Sequence, residues 1–108
     1  PNFLHIYGAI ASSGNEYVDL QTTFPASRKY EPLRTTVLSN NSQQDCDVEL
    51  NGRAYMALPA STIRAITDQA VWSLRLTNVG AGTVAAGEIT ANFSSPPIGI
   101  DEAIRRGG

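Results

Sequence analysis

The side chains able to do chemistry are few and scattered. The chain has one histidine, His5, and one cysteine, Cys46. His5 stands in the apolar stretch Phe3-Leu4-His5-Ile6-Tyr7, and a general base there needs an acidic partner to orient it. No neighbour in the sequence supplies one, so His5 reads as a packed or exposed strand residue. Cys46 has no second cysteine for a disulfide or a Cys-x-x-Cys metal motif. Asp45, Asp47 and Glu49 alternate along one strand face at spacings of about 7 Å. That is too wide for one Ca²⁺ without loop carbonyls, and no D-x-D-x-D-G loop accompanies them. They read as a solvated face. One histidine and one cysteine do not make a nucleophile–base pair, so the expectation is a non-enzyme with no catalytic residue, no metal and no cofactor.

Other patterns reduce to structure in the same way. Gly80-Ala81-Gly82-Thr83 has glycines spaced as in a phosphate-cradling loop. It lacks the Gly-Lys-Ser/Thr ending and precedes a predicted strand, so it reads as a hairpin connection. The sequons Asn40-Asn41-Ser42 and Asn92-Phe93-Ser94 are ordinary in a chain rich in Ser and Asn and receive no role. The terminal Arg105-Arg106-Gly107-Gly108 resembles the tail of ubiquitin, but the body reads as strand after strand, with no long helix after a first hairpin.

The elements follow from punctuation. Nine glycines, six prolines and many Ser, Thr and Asn residues cut the chain into short pieces about every 8–12 residues, the rhythm of an all-β sandwich or barrel. Asn51-Gly52 supplies the two positive-φ positions of a tight turn between 46–50 and 53–58, which predicts a β-hairpin. On its first strand Cys46, Val48 and Leu50 point inward. In 70–78, Trp72, Leu74 and Leu76 alternate with Ser73, Arg75 and Thr77; in 88–94, Ile89, Ala91 and Phe93 alternate with Glu88, Thr90 and Asn92. Both are predicted half-buried strands, expected to pair with each other. Strands are also predicted at 3–7, 17–20 and 34–38, and in 59–67, where Thr62, Ile63, Ile66 and Thr67 are β-branched. Pro96-Pro97 cannot continue a central strand. The expected organisation is one antiparallel β-sandwich or jelly-roll-like domain over 1–94 and an extended tail over 95–108.

Composition bounds the function. With 108 residues, 42% hydrophobic and 17% charged, the chain suits one core and departs from the disordered profile. Its net charge is −2 and its eight basic residues are dispersed, so no stripe faces a nucleic-acid backbone. No run approaches the roughly 20 apolar residues that span a bilayer. The start at Pro1 is read as an initiator methionine removed, and the opening residues lack the pattern of a signal peptide. Synthesis in the cytoplasm is therefore expected.

The stretch Asp45 to Phe93 resembles small β-sandwich virion proteins of tailed bacteriophages that decorate or cement the head. The residues carrying this likeness are the acidic alternating strand, Asn51-Gly52-Arg53-Ala54-Tyr55, the Leu58-Pro59-Ala60-Ser61 step, Trp72 to Asn78, and Ala86-Gly87-Glu88-Ile89. The resemblance implies a structural protein on the capsid surface that bridges copies of the major capsid protein and forms symmetric homo-oligomers, trimers foremost. Its implied interface residues are Phe3, Leu4 and Ile6, which could add a strand to a neighbour's edge. Pro96, Pro97, Ile98, Ile100 and Ile104 would form a stiff apolar arm. The alternative is a tail-fibre or cell-surface binding module that uses loop tips such as 12–15 or 81–83.

Overall fold

The computed structural model describes residues 2–26 and 33–94, so the predicted tail, with Pro96, Pro97, Ile98, Ile100 and Ile104, lies outside the described residues. The chain forms β1 (Asn2–Ile6), β2 (Asn15–Asp19), α1 (Leu20–Thr23), β3 (Leu33–Asn40), β4 (Cys46–Leu50), β5 (Ala54–Leu58), β6 (Thr62–Val71), β7 (Ser73–Asn78) and β8 (Ile89–Ser94). Two four-stranded antiparallel sheets run in the orders β1-β8-β3-β6 and β2-β7-β4-β5.

The pairing is nested: β4 with β5, β3 with β6, β2 with β7, and β1 with β8. The chain is thus one long hairpin, folded at the Asn51-Gly52 turn and rolled so that alternate double strands fall in opposite sheets. This is the eight-stranded jelly roll. At the tip both Asn51 (φ 54) and Gly52 (φ 75) occupy the left-handed region, as the dipeptide requires. Arg53 joins the turn by donating its N–H to Leu50 O at 3.0 Å, and the strand resumes at Ala54.

Nesting overturns one expected pairing. β7 and β8 are adjacent in sequence but belong to different sheets; β7 lies between β2 and β4, and β8 between β1 and β3. Residues 79–88 cross between the sheets and are not a hairpin connection. Gly80 and Gly82 serve close approach. The Gln44 side chain accepts from Gly82 N–H at 2.9 Å, and a Cβ at Gly80 or Gly82 would collide with its carboxamide.

The inward sets expected for β4 and β8 are buried, with Val48, Ile89, Ala91 and Phe93 all fully enclosed beside Leu38, Leu74 and Leu76. Trp72 departs from its expected place. It is 52% exposed, because the chain changes sheets there and the alternation of β7 begins only at Ser73. Asn51 Oδ1 holds this corner, accepting from Trp72 N–H at 2.8 Å, while the Asn51 amide donates to Ala70 O.

α1 is absent from the expected elements. Asp19 caps it, accepting from Gln21 N–H at 3.0 Å, as an N-terminal carboxylate does. The turn delivers Phe24 between Phe3 and Phe93, with centroids 5.4 and 6.2 Å away.

Candidate interaction surfaces

The core cluster is aliphatic and aromatic, and the candidate interaction surfaces lie outside it. Among the described residues no three His, Cys, Asp or Glu side chains converge in a way that could hold a metal ion. Asp45 instead accepts from Ala60 N–H at 3.0 Å and pins the β5–β6 connection. Burial, reinforced by the Asp45 and Asp47 carboxylates, pushes the Cys46 thiol up to about 11.

His5 has an acidic partner that the sequence did not reveal. Its Nε2 donates to Glu16 Oε2 at 2.7 Å, and Glu16 Oε1 accepts from Gly8 N–H at 3.2 Å. β1 and β2 are edge strands of different sheets, and this pair joins them on one flank. The ring also stands edge-on to Tyr7 at 4.6 Å. The Tyr7 hydroxyl is buried with no hydrogen-bond partner; burial first, and the Glu16 charge second, raise its pKa well above the ordinary value. Three groups thus meet across the two edge strands, an arrangement that fastens the sheets.

The end of the sandwich carrying the 41–45, 59–61 and 79–88 connections is fixed by buried amides. Asn40 Nδ2 donates to the carbonyls of Gln44, Leu58 and Pro59 at 2.9, 3.0 and 3.2 Å. Its Oδ1 accepts from Ser42 N–H at 2.9 Å and from Ser42 Oγ at 2.6 Å. This commits the amide of the first sequon entirely to the fold. Asn78 Nδ2 likewise donates to Ile10 O and Gly82 O, and the Asn78 backbone pairs with Ser13 and Gly14. The 12–15 loop is therefore held in place.

The four edges are unequal. β6 carries Asp68 at φ 56, and its ladder with β3 shifts register between Leu33 and Thr35. Such a bulge twists an edge away from further pairing. β1 has neither a bulge nor a charged side chain on its outer face. Of the three interface residues expected there, Leu4 and Ile6 point outward, 52% and 59% exposed, whereas Phe3 points inward against Phe24.

The outer faces of the two sheets also differ. On β2-β7-β4-β5 the registered row Tyr17, Arg75, Glu49, Tyr55 crosses all four strands. Arg75 lies 5.0 Å over the Tyr17 ring and 3.5 Å from Glu49, which accepts from the Tyr55 hydroxyl at 3.0 Å. Asp19 and Asp47 share that face. On β1-β8-β3-β6 the rows read Asn2-Ser94-Thr35-Thr67, Leu4-Asn92-Val37-Ala65 and Ile6-Thr90-Ser39-Ile63. Those twelve residues carry no charge.

Beside the hairpin tip is a hollow of about 230 Å³ lined by Leu50, Asn51, Arg53, Gln69 and the exposed Trp72. Sequence reading placed Trp72 in the core and so missed this surface. The signal that could have found it is the phase break where Val71 and Trp72 are consecutive large apolar residues.

No protein-family model matches the chain, and no curated protein matches it. Among solved structures it is similar to the Cupin_2 domain of an XRE family transcriptional regulator from Enterobacter cloacae. That match has a TM-score of 0.51 at 8% identity over 88% of this chain and 97% of that one. The coat protein of Tobacco streak virus aligns over 89% of this chain and 87% of its own at 8% identity, with a TM-score of 0.38. The first likeness is one of fold and says nothing of activity; the second is too loose to support any argument. The chain has the jelly-roll architecture, and its function has to be argued from its own surface.

Proposed function

We propose that this chain is a non-enzymatic structural protein of a virus particle, a capsid decoration protein that binds and stabilises the shell of the major capsid protein as a symmetric homo-oligomer. The observation that carries the reading is β1. It is a five-residue edge strand with no bulge, no proline and no charged side chain on its outer face, and it presents Leu4 and Ile6 to solvent. An edge of this kind accepts another chain's strand, with backbone bonds supplying affinity and alternate side chains supplying specificity. Jelly rolls serve as capsid and lectin domains and as cupins, so the fold itself does not choose among them.

The test is co-sedimentation of the full chain with assembled phage heads and, separately, with unassembled capsid subunits. The reading expects saturable binding to heads alone, lost in Leu4→Pro, which removes one backbone donor from β1. It also expects loss on deletion of 95–108, the predicted arm. Binding to neither form sinks it.

A second reading, a tail-fibre or cell-surface binding module, is favoured by the hollow at Trp72. An exposed indole beside Arg53 and Gln69 suits a flat, hydroxyl-bearing ligand such as a sugar ring. Glycan binding that Trp72→Ala abolishes would replace the first reading with this one.

A further inference from the structure

We propose that the segment following β8 docks on its own domain, with Pro97 and Ile98 against Trp72 in the hollow beside the Asn51-Gly52 turn, and Asp101 and Glu102 facing Arg53. The proposal concerns the free chain in solution and does not rest on the virion reading.

Direction and reach come first. β8 and β6 both run antiparallel to β3, so the chain leaving Ser94 heads toward the end where β6 reaches Val71 and the Trp72 corner. Ser94 pairs with Thr35, and Leu33, two residues farther along β3, pairs with Val71. Two strand spacings of about 4.8 Å and two residues of about 3.4 Å put Val71 about 12 Å from Ser94. A proline-stiffened segment advances about 3.1 Å per residue, so Ile98, four residues past Ser94, arrives at that corner without any linker. Asp101 and Glu102 follow about 10 Å farther on, within reach of the Arg53 side chain, which lines the same hollow.

The chemistry of the hollow selects the same occupant. It presents a half-exposed indole, the Gln69 amide and the Arg53 guanidinium. None of these three side chains has a hydrogen-bond or ion-pair partner among the described residues. The Asn51 side chain, by contrast, is committed to the backbone of Ala70, Trp72 and Ser73. The free groups are mainly donors. Pro96 and Pro97 bring carbonyls and no N–H, and proline segments dock on aromatic-lined surfaces because their fixed φ leaves little entropy to lose. Charge agrees. Arg34 on β3 and Asp68 on β6 are the exposed charged side chains flanking the route, and with Arg53 they leave one positive charge in excess. The acidic pair Asp101-Glu102 precedes Arg105-Arg106 in the segment and so reaches this positive surrounding first.

Proximity supplies the strength. A short flexible connection holds its end at an effective concentration of about 1 mM, at which a contact with a dissociation constant on the order of 10⁻⁴ M between separate molecules is about nine-tenths made. A weak contact therefore suffices. In the virion reading the arm has to leave this hollow before it reaches a shell.

Trp72 is the chain's one tryptophan, so its fluorescence reports on this corner alone. Acrylamide should quench it about twofold or more less efficiently in the native full chain than in the full chain carrying Pro97→Gly and Ile98→Ser. That protection should be the same from about 1 to 100 μM protein, as an intramolecular contact requires. Both substitutions lie outside the eight strands, so loss of the fold does not confound the comparison. Under mild oxidation Gln69→Cys paired with Ile98→Cys should close a disulfide within one chain, while Ala57→Cys paired with Ile98→Cys should not; Cys46 is buried and does not compete. Equal quenching of the two chains overturns the proposal, as does equal cross-linking of the two cysteine pairs. Protection that grows with concentration also overturns it, by making a second copy's segment the occupant. So does protection that is lost in Tyr30→Ala and kept in the Pro97→Gly, Ile98→Ser chain, which assigns the hollow to residues 27–32. None of these outcomes bears on binding to heads, which is read separately.

Discussion

Replacing Asn40 by alanine should be among the most damaging single changes in the molecule. Asn40 is fully buried and serves five contacts, three donated to the carbonyls of Gln44, Leu58 and Pro59 and two accepted from Ser42. Alanine leaves the Leu58 carbonyl and the Ser42 N–H without these partners in an enclosed site. Each such group costs about 1–3 kcal/mol. Water reaching the less buried Gln44 and Pro59 carbonyls recovers part of the loss, so the net cost is about 3–4 kcal/mol. A 108-residue domain has on the order of 5–15 kcal/mol in total, and a loss of this size lowers Tm by about 12–30 °C. Urea denaturation followed by tryptophan fluorescence measures the free energy, and differential scanning calorimetry measures Tm. Asn40→Leu separates the causes. If the cost came from lost volume, leucine would restore stability; if it comes from stranded backbone groups, leucine does no better than alanine. An Asn40→Ala cost below about 1 kcal/mol, or a stable Asn40→Leu, would refute the reasoning.

Three other outcomes follow from the same structure. Gly52→Ala and Gly87→Ala, at φ 75 and 86 with open space where a Cβ would stand, should each cost about 1 kcal/mol from backbone strain alone; chemical denaturation showing no loss would contradict the left-handed geometry. Trp72→Ala should cost less than about 1 kcal/mol and Leu74→Ala about 2–5, the reverse order being expected if Trp72 were a core residue. The Cys46 thiol, buried and raised from 9.0 to about 11, should react with a disulfide reagent at pH 8 only on unfolding. Because its folded pKa lies above the unfolded one, its contribution is complete below pH 9. It declines by about 1–3 kcal/mol as pH rises through 11, since the unfolded chain gives up this proton first. Stability that is flat in pH from 9 to 11 in the native chain and in Cys46→Ala alike would contradict this.

Local features were legible where one residue's conformation settles the matter. Asn51-Gly52 demands positive φ, and alternation in 46–50 and 89–93 sets which side chains face inward, so the hairpin and both burial patterns follow from the sequence. The pairing of β7 with β2 and β4 does not. It depends on nesting about a distant tip, and adjacency along the chain points to the wrong neighbour. His5 and Glu16 are eleven residues apart on edges of different sheets, and only the rolled topology brings them together. Residues 20–23 carry two threonines and look extended, and the Asp19 cap that turns them is a single side chain. Leu4 and Ile6 stand out in the sequence as apolar residues of a strand that could join a neighbour's edge; the structure adds that they face outward and that Phe3 does not. The twelve outer positions of β1-β8-β3-β6 come from four separated segments, and their grouping becomes visible only once the register is known.

The central claim is that the chain works by attaching to a shell through its β1 edge. The most direct measurement is binding of the full chain to assembled phage heads, set against unassembled capsid subunits, with Leu4→Pro in parallel. The account predicts saturable binding to heads, none to free subunits, and loss of binding in a Leu4→Pro variant whose circular dichroism is unchanged. A folded native chain that ignores heads, or a Leu4→Pro variant that binds them as tightly as the native chain, would contradict it.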